Sequence, residues 1–253
     1  HQNQTKIFNH KEQTMKIKFS KPNNGISVLN ADGSIQYTFD DWENIPDPVP
    51  AKKSIPDWFK ETKNFDQKTQ LVKTVKKCPP FLDALMTGYT IYFPTECNIN
   101  VIDHRQVNYD GPGSVFLSMH VKAQYETSPW KDKIVMKYAS PWVIQTPPGW
   151  SCLFLHPLND DNENFSSIAG IVDTDTYHLP VNFPFVVNAK KGESFKLTTQ
   201  TPMIQVIPFF RQEWEHEITE TNMEEWNAHQ KAIGDAWGQD GYKNAFHQKK
   251  KFT

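Results

Sequence analysis

The chain has 253 residues, of which 38% are hydrophobic and 13% aromatic, with a formal charge of −2 and a mean hydropathy of −0.64. A chain so close to neutrality has no global field to recruit nucleic acid or an anionic membrane. No apolar run approaches the roughly 20 residues that span a bilayer, and no signal-peptide core opens the sequence. What remains is a globular core rich in aromatic rings, since each buried Phe, Tyr or Trp removes a large apolar area from water.

The three cysteines, Cys78, Cys97 and Cys152, are far apart and odd in number. They read as reduced thiols in a cytosolic compartment and argue against a disulfide framework. No Cys-x-x-Cys pair supports a zinc ribbon.

Residues 1–14 are polar and aperiodic and are read as a non-native or flexible extension. Met15 then opens a strand-like Met-Lys-Ile-Lys-Phe. Over residues 25–39, Ile26, Val28, Ile35, Tyr37 and Phe39 alternate as strand formers around the turn residues Asn30, Ala31, Asp32 and Gly33, which predicts a β-hairpin. Pro46, Pro48, Pro50 and Pro56 make the following stretch an extended strap, because proline fixes φ and removes a donor. A short helical turn after Pro56 carries Trp58 and Phe59, which should pin the strap to the core. Hairpin and strap occupy residues 15–70.

Residues 71–212 are read as the β core. Strands are expected at 89–93, 98–102, 115–121, 134–138, 142–145, 152–155, 168–172, 183–187, 195–198 and 203–209, with a short helix near 80–86. Many short strands divided by Pro, Gly, Asn and Asp indicate a mainly β protein with a β-clip, jelly-roll or sandwich-like core. Residues 213–253 are expected to form a helical C-terminal arm over 213–229 and 232–237, broken near Gly238 and Gly241. The arm ends in a basic tail, Lys249-Lys250-Lys251, that reads as a solvated terminus.

Chemistry-bearing residues are sparse. A jelly-roll metal oxygenase needs His-x-Asp/Glu on a strand, but the match here, His216-Glu217, opens the helical arm. Asp103, His104, His120, His156 and His178 are dispersed singly. Pro148-Gly149 followed by His156 and Asn159 is similar to half of a cupin pattern, which makes His120 and His156 the candidate metal ligands. A single His at a strand end is more often a hydrogen-bonding structural residue, so no metal or cofactor is expected. There is no Gly-x-Ser-x-Gly elbow, and Gly111-Pro112-Gly113 precedes a strand, not a phosphate-cradling helix. The sharper feature is Gly170-Ile171-Val172-Asp173-Thr174-Asp175. Asp173 directly follows an apolar strand, where a carboxylate can orient water or close a turn through its own backbone contacts.

Two resemblances add to this. Pro147-Pro148-Gly149-Trp150, then Gly170 to Asp175, then Thr201-Pro202-Met203-Ile204-Gln205-Val206 is similar in order to the dUTPase and dCTP deaminase family, which has a β-clip fold. The resemblance implies that Asp173 orients water, that Tyr177 faces a sugar and that Gln205 is structural or lies on the phosphate side. Where that family has Arg-Ser this chain has His156-Pro157-Leu158, and Tyr177 lies one residue too far from Asp173. His156, Asp173, Tyr177 and Gln205 are thus the candidate ligand-binding residues, with Asp173 the candidate catalytic one. Separately, Ile55-Pro56-Asp57-Trp58-Phe59-Lys60, Lys77-Cys78-Pro79-Pro80-Phe81-Leu82-Asp83, Ser140-Pro141-Trp142 and Pro208-Phe209-Phe210-Arg211 resemble an uncharacterised protein family of tailed phages and marine microbes. That resemblance implies a viral or marine source and no particular activity.

The reading adopted is a non-catalytic or ligand-binding β protein of phage or marine type, serving as a structural or accessory component and with room for homo-oligomerisation. The rival readings are a dUTPase-like nucleotide phosphohydrolase centred on Asp173 and a cupin-like metal enzyme. The nucleotide reading requires Arg or Lys facing Asp173 in space, and the metal reading requires converging histidines and a carboxylate.

Overall fold

A computed structural model describes residues 15–21, 26–29, 35–39, 41–70, 72–235 and 241–251, with 26–29 and 35–39 described as backbone. The extension 1–14, the hairpin turn 30–34, Gly238 and the final two residues lie outside the described residues.

In chain order the elements are β1 (Lys18–Ser20), β2 (Ile26–Leu29), β3 (Ile35–Phe39), β4 (Val49–Pro50), α1 (Asp57–Glu61), α2 (Pro79–Met86), β5 (Tyr89–Tyr92), β6 (Cys97–Val101), β7 (Val107–Asp110), β8 (Leu117–Met119), β9 (Ile134–Gln145), β10 (Trp150–Leu155), β11 (Phe165–Ser167), β12 (Gly170–Val172), β13 (Pro180–Val187), β14 (Ser194–Leu197), β15 (Pro202–Phe210), α3 (Met223–Asp235) and α4 (Gly241–Ala245). The protein is mainly β, and the strand pairings are antiparallel. One sheet runs β1-β9-β13-β11 with β8 also on β9, and a second runs β12-β10-β15-β5-β4. A three-stranded sheet, β14-β6-β7, and the β2-β3 hairpin complete the set.

The two large sheets face each other through aromatic side chains, as the composition requires. Phe154 of β10 meets Phe183 of β13 at 5.1 Å between ring centroids, and Phe93, just past β5, meets Tyr138 of β9 at 5.5 Å. Ser167 of β11 donates to the Met203 carbonyl of β15 at 2.5 Å, tying the sheets at one end. Phe195 of β14 stacks toward Phe165 at 6.5 Å and joins the third sheet to the same core. Such rings remove apolar area between layers about 10 Å apart, the spacing of a β-sandwich.

Several expected boundaries move, each for a physical reason. The separate strands at 134–138 and 142–145 are one strand, β9. Its pairing to β13 shifts between Pro180↔Val143 and Asn182↔Ala139, so β9 carries the extra residues around Pro141 as a bulge. The expected strand 115–121 begins as a 3₁₀ turn at Pro112–Phe116 and is a strand only at β8. The expected strand 168–172 lies across a change of sheet, from β11 to β12. β7, which sequence reasoning missed, pairs with β6 across a turn where Asp103 accepts from the backbone amides of Arg105 and Gln106.

The proline strap follows the edge of the second sheet through β4, with the Ala51 amide donating to the Gly88 carbonyl at 2.9 Å. Phe59 of α1 is buried, stacks on Phe81 of α2 at 5.7 Å and lies beneath the Lys76 ammonium at 4.7 Å. Trp58 meets both rings edge-on. The strap is therefore pinned where the two adjacent aromatics predict.

The C-terminal arm departs most from expectation. Residues 213–222 form neither helix nor paired strand, and helix begins only at Met223. Asn222 makes the boundary: its side-chain carbonyl accepts from the amides of Glu224 and Glu225 at 3.1 and 3.2 Å, an N-cap. Ahead of that cap, the segment Glu-Trp-Glu-His-Glu-Ile-Thr-Glu has the period of an extended chain rather than of a helix.

Candidate functional site

Asp173 lies at the end of β12, where three strands of the second sheet finish together. β10 sits between β12 and β15, with Cys152 opposite both Val172 and Pro208. Continuing that register places Asp173 beside Ser151, and Arg211 beside Gly149. The Pro147-Pro148-Gly149-Trp150 turn closes the same edge, with the Trp150 amide donating to the Pro147 carbonyl at 3.2 Å. Gly149 has φ +84°, and a Cβ there would lie 2.8 Å from the Phe210 ring, so the turn needs glycine twice over.

Arg211 joins these ends. Its Nη1 donates to Asp175 Oδ1 at 2.9 Å, to Ser151 Oγ at 2.8 Å, to the Trp150 carbonyl at 3.1 Å and to Asp173 Oδ1 at 3.3 Å. Its Nη2 donates to Asp175 Oδ2 at 2.5 Å, completing a bidentate pair. The Gly149 amide also donates to Asp175 Oδ2, at 2.8 Å, and Ser151 Oγ donates to Asp173 Oδ1 at 2.7 Å. The Arg211 hydrogen bond holds the Asp175 carboxyl at about 2, well below its ordinary 3.8. Beneath it Thr174 is fully buried, its hydroxyl hydrogen-bonded to that of Thr146 at 2.7 Å and within 3.3 Å of Cys152 Sγ. Burial raises the Cys152 thiol to about 11, which keeps it protonated.

Asp173 therefore does face a guanidinium, one that chain order hides because it arrives 38 residues later through a different strand. Its side chain is 62% exposed, and that of Asp175 is 6% exposed. The fork of Arg211 is spent on Asp175 and the Pro-Gly turn, so the arrangement is a clasp holding strand ends. Beside it is a cleft of about 380 Å³ lined by Lys16, Lys18, Asp175 and His178, among others. The His178 ring lies 3.1 Å from the Asp175 carbonyl.

The other candidate residues lie apart from the clasp. Tyr177 is exposed on the β12–β13 connection. Gln205 is 2% exposed, and its amide is fully engaged: it accepts from the Leu158 amide at 2.8 Å and donates to the Ala84 and Thr87 carbonyls at 3.1 and 2.6 Å. That fastens the end of α2 to the second sheet. His156 accepts from the Ser167 amide at 3.1 Å through Nδ1, and its Nε2 lies 3.6 Å from Asp160. Burial lowers the His156 pKa and raises that of Asp160, as for a neutral structural pair. His120 directly follows β8 at the edge of the other large sheet, half-buried against Tyr125. Among the described residues no group of three or more His, Cys, Asp or Glu could hold a metal ion. No described helix is long and apolar enough to cross a membrane.

Residues of the four short sequence motifs map onto fastenings: Trp58, Phe59 and Phe81 in the aromatic stack, Pro141 in the β9 bulge, and Arg211 in the clasp. Asp83 accepts from Lys250 at 2.6 Å and lies 3.0 Å from His247 Nε2. Burial pushes its pKa up, but those two partners outweigh it and the net shift is downward.

Beyond Arg211 the surface changes. Trp214 is 82% exposed and Ile218 94% exposed, and Met223 and Trp226 are also exposed. Sequence reasoning placed all four on an amphipathic helix, which holds for Met223 and Trp226 in α3 and fails for Trp214 and Ile218. Their alternation with Glu213, Glu215 and Glu217 was the available signal that the segment before Met223 is not helical.

No family model matches the chain, and no curated protein matches it. Among solved structures it is similar to native EIAV dUTPase at 15% identity and a TM-score of 0.31, over 54% of this chain and 85% of that one.

Proposed function

We propose that this protein is a non-catalytic binding component, a structural or accessory protein of phage or marine type, whose β core displays the C-terminal arm to a protein partner. One observation carries the reading: Trp214 and Ile218 stand almost wholly in water on a segment that no other element covers. Large apolar side chains grouped on an unpaired segment mark an interaction surface, and tryptophan is enriched among residues that dominate binding energy. The motif resemblance supports the phage or marine origin, and with it a place in a virion or a host cytoplasm.

A second reading, a nucleotide phosphohydrolase using Asp173, is favoured by the Arg211 guanidinium 3.3 Å from that carboxylate. A triphosphate would have to compete with Asp175 for the fork. Phosphate release from the four common deoxynucleoside triphosphates and dUTP, with and without magnesium, separates the two. The binding reading predicts no turnover. Turnover that Asp173→Asn abolishes would replace it with the hydrolase.

A further inference from the structure

The arm has a counterpart on the same molecule. A cleft of about 520 Å³ opens between α2 and the C-terminal tail, within the size range of ligand sites. Pro79, Leu82 and Met86 give it an apolar floor, and Lys77, Lys243 and Lys249 line its margin. The single acid within it, Asp83, is already engaged by Lys250 and His247. The side chains of Lys77, Lys243 and Lys249 have no hydrogen bond or ion pair among the described residues. The cleft thus presents three uncommitted ammonium groups around an apolar base.

The arm is its complement in both respects. Residues 213–225 contain six glutamates and no Lys or Arg. Laid out as an extended chain, Glu213, Glu215 and Glu217 fall on one face and Trp214, His216 and Ile218 on the other. Within its own chain the arm does not enter the cleft, since Trp214 and Ile218 remain exposed.

We infer that the acidic, apolar arm of one copy docks in the lysine-rimmed cleft of a second copy, Trp214 and Ile218 on the apolar floor and the glutamates toward Lys77, Lys243 and Lys249. This rests on the reading of the arm as the binding element and names its partner. Each copy offers one arm and one cleft, and reciprocal exchange between two copies closes as a two-fold dimer, whereas one-way docking would leave an arm and a cleft unfilled. Trp214 from two arms would bury about 400 Å² together, at about 200 Å² per ring, which is about a quarter of a standard interface before Ile218 and the cleft surface are counted.

The test is sedimentation velocity on the full chain and on two charge-reversed variants. One carries Glu213→Lys, Glu215→Lys and Glu217→Lys in the arm, and the other Lys77→Glu, Lys243→Glu and Lys249→Glu in the cleft. The parent should dimerise, with Kd weakening at least about tenfold as salt rises from about 0.1 M to about 1 M and the Debye length falls from about 10 to about 3 Å. Each variant alone should be monomeric, with a thermal midpoint matching that of the parent diluted until it too is monomeric, because the substituted side chains have no partners within the fold. An equimolar mixture of the two should form a heterodimer, since the reversed charges again oppose. A monomeric parent, or a mixture that stays monomeric, overturns the inference. Association lost on arm reversal but kept on cleft reversal would also overturn it, while leaving the arm as the binding element. Association indifferent to both would remove the arm reading as well.

Discussion

Arg211 divides two regions built on opposite terms. On its core side, the ends of β10, β12 and β15 consume their polar capacity internally: five hydrogen bonds leave one guanidinium, and the Gly149 amide and the Ser151 hydroxyl are turned to the same carboxylates. On the other side, residues 212–222 are exposed throughout and pair with no strand. A ligand at the first region must displace an existing pair, which costs the desolvation of whatever is left behind. A partner at the second meets no internal pair to displace, and covering Trp214 and Ile218 releases water from apolar surface, which is favourable. Binding potential therefore lies where the fold leaves groups unsatisfied, even though the residue types at the clasp look more like chemistry.

Substitution in the two regions should separate them, beginning with the largest effect. Phe154→Ala removes a ring wedged against Phe183 between the large sheets and should cost about 3–5 kcal/mol of stability by denaturant unfolding. A cost below about 1 kcal/mol would mean that the sheets do not pack through that ring. Gln205→Leu strips partners from the Leu158 amide and the Ala84 and Thr87 carbonyls, and about 1–3 kcal/mol is expected. Parent-like unfolding of that variant would show that the α2 fastening is not built as described.

The core was legible because strands buried on one face write their register as alternation, and β5, β6, β10 and β15 fall close to where their apolar residues place them. Breaks in the reading came at residues whose local rule was overridden by the sheet. Pro141 ends a strand on paper, but the bulge in β9 leaves it without a ladder bond to lose. The clasp was half legible. Asp173 stands out after its apolar strand, whereas Arg211 is beside it only because β10 lies between β12 and β15, a pairing that no local pattern encodes. In the arm, Trp214 and Ile218 are spaced four apart and so suit a helix as well as a strand. With no core beneath the segment to reward a helical stripe, the helix waits for the Asn222 cap.

Acid should act on the clasp. Asp175 titrates at about 2 when folded against an ordinary 3.8. Its contribution to stability is thus complete above that ordinary value and is lost as pH falls through the folded one. Asp175→Asn should be less stable than the parent at neutral pH, and the difference should shrink between pH 3.8 and about 2. A difference that stays constant across this window would assign the ion pair no part in holding the strand ends. The smallest effect is expected in the arm. Trp214→Ala should change unfolding free energy by no more than about 0.5 kcal/mol under conditions where the chain is monomeric, as for a surface substitution. A loss of 2 kcal/mol or more would mean that the ring is buried against its own core.

The central claim is that association runs through the arm and not through the Asp173 edge. Sedimentation velocity comparing the parent, Trp214→Ala/Ile218→Ala and Asp173→Asn at equal concentration tests it directly. The arm variant should lose association while melting like the parent diluted to monomer, and Asp173→Asn should associate like the parent. Association that survives the arm substitutions and disappears with Asp173→Asn would contradict the account.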